Sequence, residues 1–289
     1  MPEMPEVAAL AEFLDSQLRG TTVSSVQIVS FAVLKTADPP FTELAGQTVA
    51  GVRRFGKFVC IDTSGPSLVF HLARAGWVRF TDAPSSAALK RGGSYIAARL
   101  AFEGEDGAHG MDLTEAGTRK SLAVYVVRDP LDVPGIAALG PDPLGAAFDV
   151  GMLAEIVGSS SQQIKGLLRS QSVIAGIGNA YSDEILHAAK MSPFAIAKSL
   201  EPAAIQTLFE SIRTILGAAV AEAHGRPPAD LKDAKRSHLR VHARTGQACP
   251  VCGDTVHEVS FSDTDLQYCP TCQTKGKILA DRRTSKFLK

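Results

Sequence analysis

Cys249-Pro250-Val251-Cys252, then sixteen residues, then Cys269-Pro270-Thr271-Cys272 is the stretch on which the reading of this chain turns. Each Cys-x-x-Cys knuckle puts two sulfurs on one side of a tight turn, and together the knuckles complete a tetrahedral set suited to Zn²⁺. Four protein ligands leave no open position, so such a metal is structural and cannot activate water. The competing reading is four buried or redox-active thiols, and the spacing favours the metal. The segment 246–289 that holds the knuckles is too short to bury a core unaided, so it needs this staple. Cys60 stands apart in a strand-like run and reads as a small core residue.

Upstream of the knuckles the chain is helical in texture. Residues 152–157, 164–168, 179–190 and 202–223 carry apolar positions three and four apart. The turn-rich run Pro134 to Pro143 precedes them and marks a boundary near residue 135. Before it lie short, alternating or β-branched runs at 22–30, 48–53, 58–63, 67–72, 97–102 and 121–127, separated by Gly, Pro, Asp and Ser. One helix opens the chain, from Pro5 through Val7, Leu10 and Leu14 until Gly20 stops it. The expected fold is therefore α+β in two domains: a β-sandwich with an N-terminal helix (1–134), a helical domain (135–245), and a finger with a basic tail (246–289).

Composition sets the outer limits. With 45% hydrophobic and 21% charged residues in 289, the chain is neither disordered nor collagenous. It contains no run of about 18 apolar residues. Glu3, Glu6 and Glu12 stand where an export signal needs basic and then apolar residues, so a cytoplasmic protein with reduced thiols is expected. Thirty basic residues balance thirty acidic ones, yet from Arg226 onward 12 Lys/Arg face 7 Asp/Glu. That basic end leaves nucleic acid open as a partner.

Three weaker signals carry chemistry. Gly176-Ile177-Gly178-Asn179 places a glycine-flanked turn before a helix, with Asn179 at the expected N-cap, where a phosphate fits the positive helix end. The same stretch also reads as an ordinary connector. Met1-Pro2-Glu3 has a small second residue that favours removal of the initiator methionine, which leaves Pro2 with a secondary amine. With an α-amino pKa near ~8 that amine can attack a sugar C1′ or an aldehyde, and Glu3 can move protons. Gly56-Lys57-Phe58 joins two strand-like runs, so Lys57 projects from a hairpin turn, where a solvated lysine is the alternative. The tail Lys275, Lys277, Arg282, Arg283, Lys286 and Lys289 binds phosphate or merely solubilises.

In this order the motifs resemble the bacterial formamidopyrimidine-DNA glycosylase and endonuclease VIII family. The match runs through Pro2-Glu3-Met4-Pro5-Glu6-Val7, Lys57, His71-Leu72, Leu139-Gly140-Pro141-Asp142-Pro143-Leu144, Gly176 to Glu184, and the four cysteines. The resemblance implies a helix-two-turn-helix domain and a zinc finger. It further implies a bifunctional enzyme of base excision repair, which flips out an oxidised base, cuts the N-glycosidic bond and nicks by β-elimination. Pro2 is then the nucleophile, Glu3 the proton donor, and Lys57 a phosphate ligand or proton-transfer aid. Glu6 is a structural member of the site. Gly178, Asn179, Arg244 and Arg74 are expected to contact DNA, Cys249, Cys252, Cys269 and Cys272 to hold one structural zinc. The expected partner is damaged DNA, duplex or single-stranded, bound by a monomer at the nucleoid, without a membrane.

Departures from the family pattern are equally specific. Thr264 stands where relatives carry a finger arginine assigned to the second, δ-elimination step, inside the acidic run Ser262-Asp263-Thr264-Asp265. Arg74 replaces a methionine, Ala73 follows His71-Leu72 where a glycine is usual, and Asp129 to Pro134 lacks the arginines and phenylalanine that probe the opposite base. These changes point away from 8-oxoguanine opposite cytosine as preferred substrate. They also raise an alternative, a catalytically weak or silent zinc-finger protein that binds damaged DNA, against which the retention of Pro2, Glu3 and Lys57 argues.

Overall fold

The structure, a computed structural model, describes residues 2–84, 89, 95–116, 120–231, 238–261 and 264–281. It comprises two compact units, Met1–Ala138 with Ala223–Ala234, and Leu139–Glu222 with Lys235–Lys289.

The first unit begins with helix α1 (Met4–Leu18). Pro5 falls in its first turn, where a missing N–H leaves nothing unsatisfied. Gly20, at φ +83°, reverses the chain after the helix. Eight strands follow: β1 (Thr22–Ile28), β2 (Val49–Phe55), β3 (Phe58–Thr63), β4 (Ser67–His71), β5 (Gly76–Thr81), β6 (Ile96–Gly104), β7 (Gly107–Glu115) and β8 (Ala123–Val127). They form two antiparallel four-stranded sheets, β1-β6-β7-β5 and β2-β3-β4-β8. Alternate residues of both sheets, among them Val59, Ile61, Phe70 and Val124 from one and Leu100, Phe102, Met111 and Leu113 from the other, share a core with Leu10, Leu14 and Leu18 of α1. The outer face of the second sheet is also covered. Cys60, Val69 and Val127 pack there with Ile136 of the short helix α2 (Pro134–Ala137).

Two of the eight strands, β5 and β7, lie outside the six that the sequence patterns indicate. Strand β7 contains Gly107, Gly110, His109 and Asp112 and has little β-propensity. It is held by tertiary partners: Met111 and Leu113 are wholly buried, and Asp112 pairs across the sheet with Arg99 at 2.6 Å, both side chains only 14% exposed.

The second unit contains α3 (Val150–Gly158), α4 (Ile164–Arg169), α5 (Asn179–Ala188) and most of α6 (Pro202–Ala223), then the finger strands β9 (His257–Ser260) and β10 (Asp265–Tyr268) and the closing turn α7 (Pro270–Thr274). The Asp149 carboxylate caps α3 by accepting from Met152 N–H at 2.8 Å. Gln171 organises the two turns between α4 and α5. Its Nε2 donates to the carbonyls of Arg169 and Ile177 at 2.9 and 2.7 Å, and its Oε1 accepts from Gly176 N–H at 2.9 Å.

The turn from β4 into β5 is the tightest backbone passage in the first unit. Ala73 takes φ +50°, a left-handed conformation that a Cβ disfavours. Gly76 N–H closes the turn on Leu72 O at 2.8 Å. A Cβ on Gly76 would lie 2.2 Å from that oxygen. Gly76→Ala is therefore expected to destabilise the protein by about 2 kcal/mol or more, and Ala73→Gly to stabilise it by about 1 kcal/mol. Denaturant melts of the two variants check both signs.

Candidate functional site

In the first unit Pro2 and Glu3 lead into α1, and both are buried. The Glu3 backbone N–H donates to Glu6 Oε2 at 2.7 Å. Glu6, itself buried, thus serves the helix terminus. Lys57 takes the second place of the two-residue turn joining β2 and β3, after Gly56 at φ +54°. Such a turn ordinarily exposes its lysine. Here Lys57 is only 8% exposed.

The charge of Lys57 acts on His71, on β4. His71 lies opposite Phe58 in the sheet, with the two rings 4.7 Å apart. Burial first, and the charge of Lys57 second, push the His71 pKa down to about 4. The neutral imidazole accepts from Ala73 N–H through Nδ1 at 3.3 Å. Arg74, next in the turn, is exposed. The other departing loop folds as a 3-10 turn, Pro130–Asp132, in which Asp129 Oδ1 accepts from Leu131 N–H at 2.9 Å. Leu131 stands at its tip, 60% exposed.

In the second unit the expected cap is corrected: Gly178 is the N-cap of α5, and Asn179 is its first helical residue. The reason lies in what Asn179 does. Its Nδ2 donates to Asp265 O on β10 at 2.7 Å, tying the helix start to the finger, and its Oδ1 is buried with no hydrogen-bond partner among the described residues. Behind this terminus sits an ionic cluster. Lys165 Nζ, on α4, donates to Asp183 Oδ1 at 2.6 Å, Ser182 Oγ at 2.8 Å and Asn179 O at 3.2 Å. Asp183 Oδ2 pairs with His242 Nδ1 at 2.8 Å. The neighbouring Glu184 carboxylate accepts three consecutive backbone N–H groups, from Arg240, Val241 and His242, at 2.8 to 3.0 Å.

Asp183 and Glu184 are quoted in the signature, but Lys165, His242 and Gln171 escape a sequence reading. Lone polar residues far apart in the chain give no signal until the fold joins them. Arg244 is half-buried and already engaged, its Nε donating to Gln247 Oε1 at 2.9 Å and its Nη1 to Leu239 O at 3.2 Å. Of the basic tail, Arg282, Arg283, Lys286 and Lys289 lie outside the described residues, as do Ser262 and Asp263 of the acidic run.

The four cysteines converge in the finger. Cys252 and Cys269 sulfurs are 3.3 Å apart and those of Cys249 and Cys272 3.9 Å. Two thiolates on one tetrahedral zinc lie about 3.8 Å apart, since each Zn–S bond is about 2.3 Å. The donor set therefore fits one structural zinc. Asp254 ties the knuckles together, its Oδ2 accepting from Thr271 Oγ1 at 2.8 Å. A fifth donor adjoins them that the cysteine pattern does not indicate. His187, on α5, sets Nε2 3.3 Å from Cys249 Sγ.

Residues 1–122 match the formamidopyrimidine-DNA glycosylase N-terminal domain, 139–227 the H2TH domain of the same enzymes, and 246–275 the zinc finger found in FPG and IleRS. A formamidopyrimidine-DNA glycosylase of Listeria innocua is 30% identical over 281 residues, 94% of this chain and 100% of that one. This chain belongs to the formamidopyrimidine-DNA glycosylase family. An uncharacterized formamidopyrimidine-DNA glycosylase-like protein of Mycobacterium tuberculosis is 56% identical over 156 residues, 54% of this chain and 98% of its own length. Among solved structures, Lactococcus lactis Fpg in complex with DNA containing an abasic site matches with a TM-score of 0.81 at 25% identity, over 94% of this chain and 99% of that one.

Within this glycosylase fold the finger departure has a plain geometry. Thr264 O accepts from Phe261 N–H at 2.8 Å, next to the paired ends of β9 and β10. Among the described residues, no helix is long and apolar enough to cross a membrane.

The His71 geometry sets a pH dependence. A histidine with an ordinary pKa of 6.5 that falls to about 4 on folding favours the neutral folded state. Its contribution is complete above about pH 6.5 and is lost as pH falls through that window toward about 4, by at most about 3 kcal/mol. Thermal melts across pH 4 to 7 are expected to show this loss, and His71→Asn, which keeps an acceptor but cannot be protonated, is expected to flatten it.

Proposed function

We propose that this family member is a monomeric bifunctional DNA glycosylase and AP lyase, working at the nucleoid in the cytoplasm, with Pro2 as nucleophile and Glu3 as proton donor. The observation that carries the assignment is the buried Pro2-Glu3 pair at the start of a capped helix, in a chain of this family. A nucleophile held out of bulk water by a fixed helix start has a defined direction of attack.

The chemistry follows from those groups. The Pro2 nitrogen attacks C1′ of the flipped nucleotide, the N-glycosidic bond breaks, and its electrons leave with the base. Glu3 supplies a proton to the opening sugar or the departing base. The C1′–O4′ bond then breaks, O4′ taking up a proton and Pro2 losing its N–H proton to solvent, and the resulting Pro2–C1′ iminium acidifies C2′. Loss of a C2′ proton expels the phosphate oxygen from C3′, and water then hydrolyses the iminium to return Pro2. Lys57, on the turn before β3, binds a phosphate or assists proton transfer. Gly178 and Asn179 stand at the positive end of α5, suited to a backbone phosphate, with Arg244 as a further contact. Arg74 and the exposed Leu131 replace the family's probing residues and fill the gap left by the extruded base.

Borohydride trapping on abasic DNA tests the nucleophile. A covalent adduct is expected from the mature enzyme and none from protein whose N-terminus is blocked or tagged. Equal trapping by the blocked protein overturns Pro2, and binding without trapping by the mature enzyme favours the silent DNA-binding alternative. Glu3→Gln is expected to lower base excision at least about 100-fold while leaving DNA affinity nearly unchanged.

Product analysis tests the finger. Thr264 offers no fixed positive charge to a developing phosphate anion. Cleavage is expected to stop mainly at the 3′ unsaturated aldehyde, and Thr264→Arg to raise the 3′ phosphate product on a denaturing gel.

A further inference from the structure

The zinc centre has more donors than it needs. His187 is buried on α5, outside the finger segment, yet its Nε2 and the sulfurs of Cys249, Cys269 and Cys272 all lie within 4.8 Å of one another. The 3.3 Å from Nε2 to Cys249 Sγ is close to the separation of about 3.6 Å expected for a nitrogen and a sulfur on one tetrahedral zinc. The remaining ring nitrogen, Nδ1, is buried without a hydrogen-bond partner among the described residues. A buried imidazole normally has both nitrogens satisfied, and here the one contact made by the ring nitrogens among the described residues is that of Nε2 with Cys249 Sγ, itself a zinc donor. What it faces is the metal centre.

The four cysteines are not equivalent. Cys249 and Cys269 are buried and Cys272 is half-buried, whereas Cys252 is exposed. An exposed ligand is the one that solvent, competing thiols and electrophiles reach first.

We propose that His187 is a reserve zinc ligand, which takes the fourth position when Cys252 leaves it. With four thiolates bound, the Nε2–H tautomer donates to Cys249 Sγ and leaves Nδ1 as a buried acceptor. On loss of Cys252 the proton passes through solvent from Nε2 to Nδ1, and the Nε2 lone pair completes a Cys₃His shell, one of the standard structural sets. Net charge at the centre changes from −2 to −1, and the finger keeps its staple. Helix α5 and the finger then share the metal directly, in addition to the bond from Asn179 to Asp265 O.

Metal content of the intact protein provides the test. Cys252→Ser is expected to retain about one zinc per chain, and Cys252→Ser with His187→Phe to lose what Cys252→Ser keeps. In cobalt-substituted protein the thiolate charge-transfer band of Cys252→Ser should fall to about three quarters of the wild-type intensity, as expected for three sulfurs instead of four. Folding of the variants is bypassed by a second measurement. Folded wild-type and His187→Phe proteins, both with four cysteines, are alkylated at exposed Cys252 with iodoacetamide, and zinc release to a chromogenic chelator is followed. Wild type is expected to hold its zinc at least tenfold longer than His187→Phe. Equal release from the two alkylated proteins overturns the proposal, as does full retention of zinc by the Cys252→Ser, His187→Phe double variant.

Discussion

A carboxylate buried to 3% exposure has to be surrounded by donors, and Glu184 collects three in succession from the backbone of Arg240, Val241 and His242. Burial pushes its pKa up while those three bonds pull it down, so the anion depends on the loop keeping its place. Asp183 beside it binds Lys165 on α4 and His242 on the same loop. Two adjacent residues of one helix thereby fix the helix before them and the chain that enters the finger. Removing one partner of such a pair leaves a buried charge uncompensated, which costs about 3–5 kcal/mol. The arrangement joins segments nearly sixty residues apart in the chain.

The first unit uses the same device on a smaller scale. Glu6 accepts the Glu3 N–H, and Lys57 is buried against a histidine whose protonation the site opposes. Buried charge is expensive in stability, and it recurs in both units; in the first, Glu115 on β7 is also buried, accepting from Ser121 and Leu122 N–H. Elsewhere the sandwich core is almost wholly apolar.

Much of this was legible in the sequence, for identifiable reasons. The knuckle spacing gave the finger, helical periodicity gave α6 at its full extent of 202–223, and the β-branched run 58–63 gave β3. Strands β5 and β7 were not legible, because Arg99–Asp112 pairing and the burial of Met111 hold a glycine-containing segment that local propensity does not favour. Pro2, Glu3 and Lys57 were singled out through motif order, whereas the burial of Lys57, on a two-residue turn that ordinarily exposes its side chains, has no local signal. The return of residues 223–234 to the first unit has no local signature. It rests on tertiary contacts such as Trp77 Nε1 donating to Pro228 O at 2.9 Å.

The finger hairpin separates two roles that an arginine at its tip would combine. Its structural role is carried by the backbone: Asp265 O holds Asn179, Phe261 N–H closes on Thr264 O, and the cysteines follow directly on β10. None of these contacts uses the side chain at position 264, so replacing a cation there by threonine leaves the support of α5 intact. Its chemical role, in the proposed mechanism, requires charge at the tip, and a hydroxyl cannot supply it. In the proposed mechanism the first elimination draws on Pro2, Glu3 and Lys57, which belong to the other unit and keep their burial and bonding. A chain built this way can lose the second elimination without weakening either its fold or the step that cuts the strand.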